Sequence, residues 1–91
     1  MSWYCYLLLC SDGSYYTGVS KDPYARLTVH LRGRGARYTR ARLPVRLVYY
    51  EEQPDRSAAQ RREAVLRKLD HLSKTAITQE FHDQRSASSS T

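Results

Sequence analysis

The sequence predicts one small α+β domain, in which strands and helices share a single core. Three observations point there. An apolar and aromatic run at residues 3–10 is followed by the turn Ser11-Asp12-Gly13 and a second strand-like run, Tyr15 to Ser20. Capped, amphipathic helical stretches follow, interrupted by a third strand-like run behind Pro44. The 91 residues fit one domain, with a hydrophobic fraction of 41% that suits a modest core. The expected organisation is a domain over 1–84 and a disordered Ser-rich tail over 85–91.

The first strand is apolar on both faces, so it should be covered on both sides. A two-residue turn after it would put Tyr6 and Tyr16 on opposite faces. A three-residue loop with Gly13 last, in the left-handed conformation, pairs Cys10 with Ser14, Leu8 with Tyr16 and Tyr6 with Gly18. Tyr6 and Tyr16 then share one face as diagonal neighbours. Gly18, lacking a side chain, should leave open space opposite Tyr6.

Asp22-Pro23 reads as an N-cap followed by proline at the first helical position, opening a helix that ends near Gly33. Its expected apolar stripe is Tyr24, Leu27 and Leu31, while Arg26 and His30, four apart, share another face. Residues 33–43 form a basic connector with room for one helical turn, and Val45 to Tyr50 is the third strand. Ser57 with Gln60 resembles a capping box. The helix it opens should bury Val65, Leu66, Leu69 and Leu72, with Glu63 away from that stripe. A last helix is expected over Ser73 to Phe81.

Composition narrows the partner. The net charge is +6 with a pI near 9.6, and Arg26, Arg32, Arg34, Arg37, Arg40, Arg42 and Arg46 lie in a stretch free of Asp and Glu. Arginine grips phosphate bidentately and stacks on bases, which favours a nucleic acid over a generic solvated surface. Cys5 and Cys10 would lie about 16 Å apart on an extended strand, too far for a disulfide, and their spacing matches no common zinc site. They read as reduced core residues of a cytoplasmic protein. No apolar run approaches a membrane span, and Leu7-Leu8-Leu9 is too short for a signal-peptide core.

Tyr4-Cys5-Tyr6, Tyr16-Thr17-Gly18, Arg26, His30 and Glu63 together resemble the GIY-YIG nuclease pattern. Gly33-Arg34-Gly35-Ala36-Arg37-Tyr38-Thr39-Arg40 and Pro44 to Tyr50 resemble its small stand-alone bacterial branch, over roughly residues 3 to 77. Where many members have Gly-Ile and Ile, this chain has Tyr4-Cys5 and Thr17, and it contains no Asn where some members place one near the site. The resemblance implies a three-stranded antiparallel sheet flanked by helices. It also implies divalent-metal-dependent hydrolysis of DNA in the bacterial cytosol, in replication, repair or recombination. By similarity Tyr6 and Tyr16 match the two motif tyrosines, Arg26 the helix arginine, His30 the residue one turn on, and Glu63 the metal-binding carboxylate.

The chemistry gives each type a reason. A carboxylate and waters make a typical loose shell for Mg²⁺ or Mn²⁺. A guanidinium stabilises charge building on the phosphate, and a phenol or imidazole takes the proton of the attacking water. Either tyrosine can serve, with His30 relaying the proton or positioning water. Glu63 also stands four residues before Arg67, the order of an ordinary helix ion pair. Trp3 reads as core. Arg32, Arg34, Arg37, Tyr38, Arg40 and Arg42 are the expected nucleic-acid contacts, on single-stranded or branched DNA. No small-molecule cofactor and no membrane is expected. The alternative is a non-catalytic nucleic-acid-binding module, or one that needs a protein partner.

Overall fold

A computed structural model describes residues 2–89. Strand β1, Trp3–Leu9, lies between β2, Tyr15–Ser20, and β3, Arg46–Gln53, in an antiparallel sheet of order β2-β1-β3. Four helices accompany it: α1, Pro23–Leu31; α2, Arg37–Arg40; α3, Arg56–Lys68; and α4, His71–Ser89.

The hairpin follows its turn chemistry. Gly13 has φ +84°, Cys10 N–H donates to Ser14 O at 2.8 Å, and the register sets Leu8 against Tyr16 and Tyr6 against Gly18. Tyr6 and Tyr16 therefore share the face that α1 covers, with ring centroids 6.5 Å apart. On that face Tyr6, Leu8, Cys10 and Val45 form a buried cluster, with Leu27, Leu43, Leu47 and Tyr50 packed around it. Leu47 and Tyr50 both reach it because β3 has a register shift: Leu7 opposes Tyr49 while Leu8 opposes Leu47. The opposite face, with Cys5 and Leu7, is covered by α3 through Ala59 and Leu66. Both cysteines are free and buried, and burial pushes the Cys5 thiol up to about 12.

Several packing expectations need correction. In α1 the buried side carries Pro23 and His30, with Leu27 partly covered, while Tyr24 and Leu31 are exposed. In α3 Leu66 is buried as expected, joined by Ala59, which is too small to register as part of a stripe, while Val65, and Leu72 beyond the helix, face solvent. The expected run through Leu72 is broken because Leu69 turns extended and Asp70 accepts the Ser73 N–H at 2.8 Å, starting α4 afresh. The cap of α3 is Asp55, which accepts the Ala58 N–H at 2.8 Å, rather than Ser57. Trp3 is not core: it is half-buried, with Lys21 and Arg56 over its ring at 5.4 and 5.5 Å. Helix α4 outruns Phe81 and continues into the stretch whose composition suggested a tail. Phe81 packs edge-on against Tyr49 and Tyr50, and Arg85 donates to Tyr50 Oη at 2.8 Å, which holds the helix to β3. Ser90 and Thr91 of that expected tail lie outside the described residues.

Candidate active site

The hairpin, α1 and α3 meet at the outer edge of β2, where a cleft of about 200 Å³ opens. Tyr6, Tyr16, Arg26 and Glu63 line it together with Trp3 and Arg56. Tyr6 belongs to the central strand, so its ring must cross β2 to reach this edge. Gly18 makes the crossing possible. A Cβ there would lie 2.5 Å from both Cζ and Oη of Tyr6. The space expected to stay open opposite Tyr6 is thus filled by Tyr6 itself.

His30 stands behind the cleft, fully buried, and does not line it. Its Nε2 lies 3.1 Å from Tyr6 Oη and its Nδ1 2.8 Å from Thr39 Oγ1. Thr39, also buried, spends its own proton on Ala36 O at 2.9 Å. Its hydroxyl therefore accepts from Nδ1–H, and Nε2 is left as the acceptor for the Tyr6 hydroxyl. Burial, and secondarily the Arg26 charge, hold the His30 pKa below the ordinary imidazole value of 6.5, so the ring is neutral at pH 7. Burial pushes the Tyr6 hydroxyl up to about 12; Tyr16 adds to the rise and the Arg26 guanidinium opposes it. At rest Tyr6 is a phenol. Gly35 plays for His30 the part that Gly18 plays for Tyr6, since a methyl at Gly35 would overlap the imidazole.

Glu63 enters from α3 on the same helix side as Ala59 and Leu66, not away from it. Its neighbour Arg62 pairs with Glu51 on β3, and Tyr49 donates to that carboxylate at 3.0 Å, which fixes the rotation of α3 over the sheet. The Glu63 side chain keeps 23% exposure and its Oε2 meets Arg67 at 3.0 Å, so the helix ion pair foreseen from the spacing does form. Among the described residues no three His, Cys, Asp or Glu side chains converge as a metal cluster. A single, partly exposed carboxylate in the lining of this cleft fits a hard cation that keeps most of its water, as Mg²⁺ does, and does not fit zinc.

The expected DNA contacts divide. Arg32, Arg34, Arg37 and Arg40 are exposed and outside the cleft. Arg42 is committed to the fold: its Nε pairs with Asp12 at 3.0 Å, and its guanidinium lies 3.8 Å over the Tyr38 ring. Tyr38 is partly exposed and stacks beside Tyr16 at 6.2 Å. Sequence reasoning missed Arg56 and Gln60 in the cleft, although they precede Glu63 by seven and three residues and so share its helix side. It also missed Thr39 and Trp3, which no spacing marks.

Comparison with known proteins adds to this geometry. Residues 2–76 match the model of the GIY-YIG catalytic domain. A UPF0213 protein of Streptococcus sanguinis is 51% identical over 85% of this chain and 88% of its own length. Another from Xanthomonas axonopodis pv. citri is 48% identical over 85% and 76%. The solution structure of protein EF2693 of E. faecalis superposes with a TM-score of 0.58 at 42% identity, covering 90% of this chain and 88% of that one. That of the UPF0213 protein BH0048 of Bacillus halodurans gives 0.54 at 39%, covering 87% and 84%.

Proposed function

We propose, from the premise that this chain belongs to the GIY-YIG family and that such a domain implies nuclease activity on DNA, that it is a divalent-metal-dependent endonuclease hydrolysing phosphodiesters of single-stranded or branched DNA. The observation that carries this reading is the shared cleft, in which the Glu63 carboxylate and the Arg26 guanidinium face one space walled by Tyr6 and Tyr16.

In this reading the Glu63 carboxylate would hold Mg²⁺ or Mn²⁺. When bound, the cation supplies Lewis-acid stabilisation of the phosphate and leaving oxygen. Arg26 grips the non-bridging oxygens and strengthens its hold as their charge grows. Attacking water gives its proton to the Tyr6 oxygen while Tyr6 passes its own to Nε2 of His30. The new P–O bond forms as the bond to the leaving oxygen breaks. A phenol near 12 is a poor base alone, so the hydrogen bond to a neutral imidazole is what favours Tyr6 over Tyr16 for this step. Thr39, by holding Nδ1–H, keeps His30 in the tautomer that can accept. The exposed arginines supply phosphate contacts that carry no sequence information, in keeping with a substrate recognised by strand state. Among the described residues no helix is long and apolar enough to cross a membrane, and action on DNA in the bacterial cytoplasm is part of the proposal.

The Glu63–Arg67 pair favours a second reading, a non-catalytic binding module in which Glu63 serves α3 alone. A panel of labelled single-stranded, duplex, flap and junction DNAs, incubated with Mg²⁺, Mn²⁺ or EDTA, separates the two. The nuclease reading expects products from single-stranded or branched arms with metal and none with EDTA. Binding to every arm without cleavage of any supports the module. Cleavage that appears only with cell extract points to a required protein partner.

A further inference from the structure

We propose that a second cavity, adjoining the cleavage cleft, is a subsite for one unpaired nucleotide of the DNA strand being cut, an assignment that rests on the nuclease reading above. The cavity measures about 270 Å³ and is lined by Tyr15, Tyr16, Thr17, Tyr38, Arg67 and Lys74. Small-ligand cavities begin at roughly 300 Å³, so this one suits a single nucleotide and is far too small for a duplex.

Its walls are complementary to that ligand. The Tyr16 and Tyr38 rings, 6.2 Å apart and 29° from parallel, line it together with the Arg67 and Lys74 side chains. A base takes an aromatic wall and a phosphate takes a guanidinium or ammonium. The Arg67 side chain is 64% exposed, so it can turn to a phosphate without rupturing the core. Tyr15 and Thr17 stand at the positions of the β1–β2 ladder that do not bond across it, because Cys10 N–H already donates to Ser14 O one step before. Their backbone N–H and C=O groups point away from β1, along the edge where the cavity lies, and can meet the edge of a base.

Position ties the cavity to catalysis. Tyr16 lines both cavities, and Arg67 is paired with Glu63 of the first at 3.0 Å. A strand whose phosphate sits between Glu63 and Arg26 passes Tyr16 on leaving, and its next nucleotide arrives in the second cavity. A base stacked and paired inside a duplex has no free face or edge to offer there. The subsite therefore selects DNA that is single-stranded beside the cut.

The test titrates ¹⁵N-labelled protein, in EDTA so that nothing is cleaved, with hexathymidylate and with the same hexamer lacking its bases. The subsite predicts amide shifts at Tyr15, Thr17, Tyr38 and Lys74, and about tenfold tighter binding of the intact hexamer. Tyr38→Leu should shrink that ratio to about twofold or less, while Lys74→Ala should weaken both hexamers by a similar factor; the same spectra show that each variant is folded. Equal binding of the two hexamers by the native protein, or shifts confined to the surface around Arg34 and Arg37, would overturn the subsite. Because no cleavage enters the measurement, base discrimination in a protein that never cuts DNA would sink the nuclease reading alone, and cutting without discrimination would sink the subsite alone.

Discussion

Two glycines decide where the Tyr6 and His30 rings can go. Gly18 lets the Tyr6 ring cross β2, and a Cβ 2.5 Å from its Cζ and Oη would push the phenol out of the cleft and off His30. Gly18→Ala is expected to slow single-turnover cleavage about 100-fold, the cost of a displacement near 1 Å in a catalytic group, while the Kd for single-stranded DNA barely moves. Unchanged cleavage would mean that Tyr6 does not act at that position. The pH profile tests the imidazole. His30 has its pKa lowered in the folded protein, so it is the neutral acceptor above that value and protonates only below 6.5. Cleavage rate should therefore hold down to pH 6.5 and fall as pH drops through the lowered value. Stability follows the same sign: the unfolded chain takes the proton first, so the contribution of His30 is complete above 6.5 and lost as pH falls through its folded value. Thr39→Val should cut the rate about tenfold by freeing the tautomer, with Thr39→Ser restoring most of it. The motif tyrosines, Arg26, His30 and Glu63 were legible only as an ordered set, by resemblance. Taken singly, each looks like an ordinary strand or helix residue. Thr39 was illegible because its role is a hydrogen bond to a ring nitrogen nine positions away, for which no spacing rule exists.

At the level of elements, local chemistry was readable and packing only in part. The Ser11-Asp12-Gly13 turn specified the register, and with it the shared face of Tyr6 and Tyr16. Asp22 with Pro23 specified the start of α1, where Asp22 accepts from Tyr24 and Ala25. The buried sides of α1 and α3 were legible only in part: Leu27 and Leu66 do pack inward, but the equally apolar Tyr24, Leu31 and Val65 do not. Beside them the sheet takes His30 from α1 and the small Ala59 from α3, and this packing brings Arg26 and Glu63 to the β2 edge. Capping offers a direct check. Asp55→Ala removes the acceptor for Ala58 N–H and should cost about 1 kcal/mol, a fall in Tm of roughly 4–8 °C for a domain this size. Ser57→Ala, at the cap expected from sequence alone, should move Tm by about 1 °C or less, and cleavage should survive both. A larger loss for Ser57→Ala would restore the capping box.

For the whole molecule, a charge of +6 on 91 residues should make the proposed affinity for DNA salt-dependent. The arginines are not equivalent. Arg37→Ala, at an exposed position, should flatten the plot of log Kd against log salt by about 0.7 for single-stranded DNA. Arg42→Ala should leave that slope nearly intact and lower Tm instead, because Arg42 holds Asp12 and Tyr38. The sequence showed one basic stretch. Which of its members face solvent depends on the chain folding back so that Asp12, thirty residues away, claims one of them, and composition is silent on that.

One experiment bears most directly on the claim that Arg26 and a cation held by Glu63 act on the same phosphate. Glu63→Gln keeps the shape of the side chain and removes its charge. Cleavage of a single-stranded oligonucleotide in Mg²⁺ and binding of the same oligonucleotide in EDTA are measured on one preparation. The account predicts cleavage lowered by at least about 1,000-fold with Kd unchanged or slightly tighter, since a negative charge has left the cleft. Cleavage within about threefold of the native rate would contradict it, and would leave Glu63 as nothing more than the partner of Arg67.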